Sequence, residues 1–282
     1  MAASICPYRS ISRVDAMFDR LRAAGRRAFA TYAVASDPSF EESLAELHGF
    51  VAAGIDLIEL GYPFSDPILD GATIQKANRR GMAAGGNLAR TLDLVAAFRE
   101  TDGATPIVLM GYANPLAVMG YEAFAARAAA SGVDGIIVAD MPLREAGALL
   151  AALAMHGMVM IPLFAMTLEE KDVAPRPGVG GFLYCIPVVG PTGGPSATIE
   201  TIGTAVACCR RSTTLPVMVG FGIKTPEAAA AVAAIADGVI VASALIDLVD
   251  AEAGPAAGVQ RLSRYSRHIW AFRQAIDLAP AS

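Results

Sequence analysis

Short apolar runs, each cut off by Gly, Pro or a carboxylate and followed by a helical pattern, recur along most of this chain. The patterning predicts strands at residues 29–35, 56–60, 106–112, 135–139, 158–164, 181–186, 215–219 and 238–241. Helical periodicity falls between them at 39–53, 73–84, 87–101, 121–130, 143–155, 197–210, 226–236, 244–249 and 257–275, with a poorer stretch at 168–173 broken by Pro175 and Pro177. The β segments recur at a spacing of roughly 25 to 30 residues and are continuously apolar, as parallel strands buried on both faces require. A closed (β/α)8 barrel of the TIM type is the economical solution. An extra N-terminal amphipathic helix at 11–24 carries Val14, Phe18 and Leu21 on one face. An open doubly wound sheet is the competing architecture. No linker or shift in composition divides the chain, so residues 1–282 are expected to form one domain.

Composition narrows the function. With 54% hydrophobic residues in 282, the chain can bury one sizeable core. The net charge of −5 and the lack of a basic run interleaved with aromatics argue against nucleic acid. No apolar stretch reaches the roughly 18 residues of a membrane span, and residues 1–13 lack the apolar core of a signal peptide. Cys6, Cys185, Cys208 and Cys209 lack metal-ligand spacing and a nearby histidine, which fits reduced thiols in a cytoplasmic protein without a metal site. His48, His156 and His268 are scattered through helical segments, where surface or half-buried roles are the usual ones. Gly-x-Ser-x-Gly, Walker and dinucleotide-binding patterns are all missing.

In such barrels the chemistry sits at the carboxyl ends of the strands. There the chain carries Asp37; Glu59 and the acidic loop to Asp70; Tyr112 and Asn114; Asp140; Tyr184; and then glycine-rich or small-residue turns. Gly193, Gly194 and Gly222 allow close backbone approach, and Ser243 opens a short helix after Ala242, an arrangement suited to phosphate. The same glycines could simply form tight turns. Glu59 ends an apolar strand, and burial should raise its pKa toward neutrality, as a proton-transfer group needs. It could instead cap backbone amides or pair with a neighbour. Asp70 could accept a hydrogen bond from a substrate N–H or serve as N-cap of the helix around Thr73. Asp66 and Asp140 lie in proline-containing turns, where Asp often serves the backbone.

The run Glu-Leu-Gly-Tyr-Pro-Phe-Ser-Asp-Pro-Ile-Leu-Asp-Gly-Ala-Thr-Ile-Gln at 59–75 strongly resembles the signature of the tryptophan synthase alpha chain family. Agreement extends to Ser36-Asp37-Pro38, to Met-Gly-Tyr-Ala-Asn-Pro at 110–115, to 132–142 and to Gly220-Phe-Gly-Ile223, covering nearly the whole chain in order. The resemblance implies a (β/α)8 barrel that cleaves indole-3-glycerol phosphate to indole and glyceraldehyde 3-phosphate without a cofactor. By position, Glu59 matches the family's acid/base carboxylate, Asp70 the carboxylate that holds the indole N–H, and Tyr184 its active-site tyrosine. Gly193, Gly222, Ala242 and Ser243 match the phosphate cradle. An apolar indole pocket would draw on Tyr32, Phe64, Leu109 and Ile161. Asp66, Asn114 and Pro115 match positions that face the beta chain, the partner that holds pyridoxal phosphate in an alpha2beta2 complex.

The chain also departs from the family. Ser36 stands where Gly is usual, Ala242 replaces the Gly before Ser243, and Pro187-Val-Val-Gly-Pro-Thr-Gly193 replaces a Ser-Arg-x-Gly-Val-Thr-Gly loop. In the family that loop closes over substrate, and Pro191 could stiffen it. Two other readings therefore stay open. One is a stand-alone lyase of specialised metabolism; the other is a non-catalytic barrel that regulates a beta chain.

Overall fold

The computed structural model describes residues 12–165, 177–187, 197–220, 222–252 and 259–279. The strands are β1 (Ala28–Val34), β2 (Leu57–Gly61), β3 (Ile107–Gly111), β4 (Gly135–Val138), β5 (Val159–Met160), β6 (Leu163–Ala165), β7 (Leu183–Ile186), β8 (Val217–Val219) and β9 (Gly238–Val241). The helices before β3 are α1 (Arg13–Ala23), α2 (Phe40–Ala52), α3 (Ala72–Ala83) and α4 (Leu88–Arg99). Then come α5 (Ala113–Met119), α6 (Tyr121–Ser131), α7 (Gly147–Met155), α8 (Ile199–Ser212), α9 (Pro226–Ala233), α10 (Ser243–Ala251) and α11 (Val259–Asp277). The predicted helix at 168–173 lies outside the described residues.

Every strand pairing is parallel, in the order β5-β4-β3-β2-β1-β9-β8-β7-β6. The predicted fifth strand is one passage of chain in two pieces, parted at Ile161 and Pro162. Proline has no N–H for the ladder. Even so, the Ile161 N–H donates to the Ile136 carbonyl at 2.8 Å, and the Pro162 carbonyl accepts from the Tyr184 N–H at 2.9 Å. β5 therefore pairs with β4 and β6 with β7, and the chain between them closes the sheet into a (β/α)8 barrel. The sequence pattern missed α5, a short helix whose Asn-Pro start reads as a loop.

Side-chain alternation separates two cores. Ile58, Leu60 and Leu109 pack outward against the helices, whereas Leu57, Val108, Ile137, Phe182, Met218 and Ile240 fill the lumen. Helix α1, capped by Ser12 whose Oγ accepts from the Asp15 N–H at 3.1 Å, adds Val14, Met17, Phe18 and Leu21 to the lumen cluster. Its Phe18 ring lies 6.3 Å from that of Phe182. The extra helix thus plugs the amino end of the barrel and leaves the carboxyl end for chemistry.

One device recurs at the plugged end. Asp56, Asp134 and Asp237 each stand one residue before a strand and grip the neighbouring strand by both backbone groups. Asp134 donates its N–H to the Ile107 carbonyl at 2.9 Å and accepts the Ile107 N–H on Oδ2 at 2.8 Å. Asp56 does the same with Phe29, at 2.8 and 3.0 Å, and Asp237 with Val217, both at 2.9 Å. Arginines neutralise these acids: Arg273 on Asp56 at 3.0 Å, and Arg13 and Arg99 on Asp134 at 3.0 and 2.9 Å.

The Ser36 departure has a backbone reason. Its φ is 63°, in the left-handed region where glycine is unstrained, and its buried hydroxyl has no hydrogen-bond partner. Ser36→Gly is expected to stabilise the fold by about 1 kcal/mol in urea unfolding. Asp134→Ala is expected to cost about 3 kcal/mol in the same measurement, because it removes the counter-charge of the Arg99 guanidinium and leaves the Ile107 N–H without its acceptor.

Candidate active site

Two carboxylates interrupt the second strand run, and they have opposite fates. Asp56 is paired at the amino end, as described above. Glu59, three residues on, points into the lumen at 1% exposure, and neither carboxylate oxygen has a hydrogen-bond partner. The capping and pairing roles open to it from sequence are thus both empty. With nothing to offset desolvation, the carboxyl pKa is pushed up to about 8, so the group is protonated at neutral pH.

Tyr32 lies beside Glu59 in the β1–β2 register. Its ring reaches over Gly61, where a Cβ would overlap the hydroxyl. Burial, and the charges of Asp70 and Glu59, raise the Tyr32 pKa. Tyr184 enters from β7 at 5% exposure and donates its hydroxyl hydrogen to the Gly220 carbonyl at 3.0 Å. Its pKa is raised by burial first and then by the charge of Glu59.

Asp70 sits in the loop between β2 and α3. The N-cap of α3 is Gly71, with no side-chain cap, so the capping role left open for Asp70 is not used. The loop is tied instead by the Asp70 N–H to the Pro67 carbonyl at 3.1 Å and by Gln75 Nε2 to the Asp70 carbonyl at 3.0 Å. Burial pushes the Asp70 pKa up to about 6, opposed by a hydrogen bond from Tyr112. At pH 7 one acid is therefore protonated and the other ionised.

Gly222, with φ 73°, follows β8, and Ala242 and Ser243 follow the adjacent β9, with Ser243 as the first residue of α10. Gly193 and Pro191 lie outside the described residues. Among the pocket candidates, Phe64 is half-buried with its ring 5.6 Å from that of Tyr112, and its N–H is held by Asn78 Oδ1 at 3.0 Å. Ile161 is fully buried deep in the lumen, in the cluster that includes Val14 of α1. Leu109 needs correcting: it is buried in the outer core against the helices. Its neighbour Met110 borders both the lumen cluster and the Tyr32 cluster, and half-buried Leu163 also borders the lumen. The strand register carries this signal, since counting by twos from Val108, the partner of Glu59, points Met110 inward.

The remaining acids serve structure. Asp37 is held by Arg80, at 2.6 and 2.8 Å, and by Arg261 at 3.5 Å. Asp140 Oδ1 accepts the Ala113 N–H at 2.8 Å. Asp66 is exposed and takes a hydrogen bond from Ser65 at 2.6 Å. Asn114 is exposed on α5 and Pro115 half-buried. Nearby Ile68, Leu69 and Val118 are unusually open for apolar side chains, at 76%, 44% and 81%. Among the described residues, no group of three or more His, Cys, Asp or Glu could hold a metal ion, and no helix is long and apolar enough to cross a membrane.

Glu59 also shapes stability. A proton absent from the unfolded chain above its ordinary pKa of 4.5 is kept in the folded state up to about 8. The stability linked to this group is thus complete below 4.5 and lost as pH rises to about 8. Glu59→Gln is expected to be more stable than the parent, by a margin in thermal unfolding that widens across this range and levels off above it.

Comparison with known proteins follows the same lines. The family model described as "Tryptophan synthase alpha chain" matches residues 18–274. The tryptophan synthase alpha chain of Caulobacter sp. (strain K31) is 50% identical over 244 residues, covering 86% of this chain and 88% of the relative. That of Gluconacetobacter diazotrophicus is 48% identical over 255 residues, covering 87% and 92%. Among solved structures, tryptophan synthase subunit alpha from Legionella pneumophila superposes with a TM-score of 0.85 at 34% identity, covering 95% of this chain and 99% of that one. Tryptophan synthase of Mycobacterium tuberculosis gives 0.84 at 31%, covering 95% and 100%.

Proposed function

Because the chain belongs to the tryptophan synthase alpha chain family, whose members cleave indole-3-glycerol phosphate to indole and glyceraldehyde 3-phosphate, we propose that Glu59, Asp70 and Tyr184 carry this reaction here. The observation that supports it is the Glu59 carboxyl, buried, without a partner and protonated at neutral pH. In that state Glu59 delivers its proton to indole C3, which turns the ring into an electron acceptor. The bond from C3 to the glycerol carbon then breaks, and its electron pair returns to the ring. The hydroxyl on that carbon loses its proton as it becomes the aldehyde. Glu59, now a carboxylate, takes that proton, so the cycle closes without net proton transfer. Asp70, ionised, accepts the indole N–H and stabilises the positive charge that develops there. Tyr184, its hydroxyl fixed on Gly220, walls the pocket beside Glu59. Gly193, Gly222, Ala242 and Ser243 offer backbone and hydroxyl donors to the phosphate.

The residues of this chain suffice for these steps, so we assign it no cofactor; pyridoxal phosphate would belong to the beta partner. The exposed Ile68, Leu69 and Val118, beside Asp66, Asn114 and Pro115, favour a beta chain docked on this face over a stand-alone lyase. Indole would pass to that partner within an alpha2beta2 complex in the cytoplasm, residues 1–282 acting as one domain.

The two pKa values frame the working range. Asp70 ionises above about 6 and Glu59 keeps its proton below about 8. The kcat/KM for indole release is therefore expected to follow a bell with limbs near those values. Glu59→Gln and Asp70→Asn are each expected to lose on the order of 100-fold or more. The assay is indole formation from indole-3-glycerol phosphate with and without a beta chain; no indole in either case refutes the lyase reading.

A further inference from the structure

Helix α3 follows the Asp70 loop, helix α10 begins at Ser243, and the two are fastened to each other along one stripe of each. On α3 the stripe is Thr73, Ile74, Ala77 and Arg80; on α10 it is Ser243, Ile246, Asp247 and Asp250. Both sets follow the three- and four-residue spacing of a single helix face. In the first turn of α3 the Thr73 hydroxyl donates to Asp247 Oδ1 at 2.6 Å. Two turns on, Arg80 Nη1 donates to Asp250 Oδ2 at 3.2 Å. Between these polar grips, Ile74 and Ala77 share a small buried cluster with Ile246 and with Tyr32 and Val34 of β1. Ala242, beside Ser243, packs against the same cluster.

Resting on the phosphate cradle and the Asp70 role read above, we propose that Thr73 and Arg80 are positioning residues that couple the two ends of the substrate. Phosphate held at the start of α10 fixes, through α3, the carboxylate that receives the indole N–H. The chain of contacts is short. Asp70 lies two residues before α3, and Gln75 Nε2 donates to its carbonyl at 3.0 Å, so the Asp70 backbone follows the first turn of that helix. Thr73 stands in the same turn, and its acceptor Asp247 is one turn beyond Ser243. The other end of α3 is anchored to the scaffold. Arg80 grips Asp37, beyond β1, through Nε and Nη2 at 2.6 and 2.8 Å, a bidentate pair that resists sliding or rotation of the helix. Arg261 of α11 reaches both Asp37 and Asp250 at 3.5 Å and ties α10 to the same anchor. The Thr73–Asp247 bond lies at the surface, where a hydrogen bond adds only modestly to stability, but it joins the helices beside both subsites.

The coupling is read with two fragments that do not react with each other, indole and glycerol 3-phosphate, which lacks the aldehyde. In calorimetric titrations of the whole chain, indole is expected to bind about tenfold more tightly when glycerol 3-phosphate is saturating, and the phosphate ester to gain the same factor from indole. Thr73→Val should cut that factor to about threefold while the affinity for each fragment alone stays within about twofold. Adding Arg80→Gln should bring the factor to about one. Thr73→Ser, which keeps the donor, should retain the tenfold factor of the parent. A merely structural contact would weaken each fragment alone and leave the tenfold factor unmoved in Thr73→Val, which overturns the proposal. Independent binding of the two fragments to the parent, or failure of either to bind, overturns it as well. Should the Arg80 variant not fold, Thr73→Val and Thr73→Ser decide. If the parent couples the fragments yet makes no indole, the lyase reading fails and the coupling stands; if it makes indole without coupling, the reverse holds.

Discussion

A carboxyl group with both oxygens buried and unpartnered is the condition that the rest of this barrel is arranged to hold. Ionised in an apolar lumen, Glu59 would be strongly destabilising, so the fold keeps it neutral. Among the described residues, the side chains that fill the lumen include no cation to reverse this. Its wall is apolar below Glu59 and phenolic beside it. A lysine or arginine in reach would drive the pKa down. In the mechanism we propose, the empty hydrogen-bond positions are what keep on Glu59 the proton meant for C3.

Such a group is tolerated because the opposite end of the barrel is bolted. Each of the three acids that precede β2, β4 and β9 accepts a backbone N–H, and each has an arginine near it. Helix α1 then seals that mouth with apolar side chains. Carboxylates at the amino end are neutralised and satisfied, and at the carboxyl end Asp37 is likewise held by Arg80 and Arg261. Among the described residues, no cation pairs with Glu59 or Asp70.

The continuous apolar runs and their spacing were enough to read the barrel from sequence, and Glu59 stood out because an acid in such a run needs a partner or a purpose. Asp56, in the same run, is the paired case, a difference the sequence does not carry because its partner Arg273 is far along the chain, in α11. Leu109 shows a second limit. Within a run apolar on both faces, nothing local tells lumen from helix side, and only the register with Glu59 assigns Met110 inward. The break at Pro162 was legible as a proline, but its effect depends on two flanking strands that pair with different pieces.

The glycines at the carboxyl end acquire a different meaning once the tyrosines are placed. Gly61, Gly111 and Gly220 are absent from the positive-φ residues, so backbone conformation does not demand them. What each lacks is a Cβ, and the space is taken by a phenol ring: Tyr32 over Gly61, Tyr62 over Gly111 and Tyr184 over Gly220. In the first two cases the ring comes from the residue run of the preceding strand, and Tyr184 of β7 likewise leans toward the end of β8. The rings therefore lie sideways across neighbouring strands and do not project straight into the lumen. That tilt keeps Tyr184 on the Gly220 carbonyl. Glycine here makes space for side chains rather than for an unusual backbone.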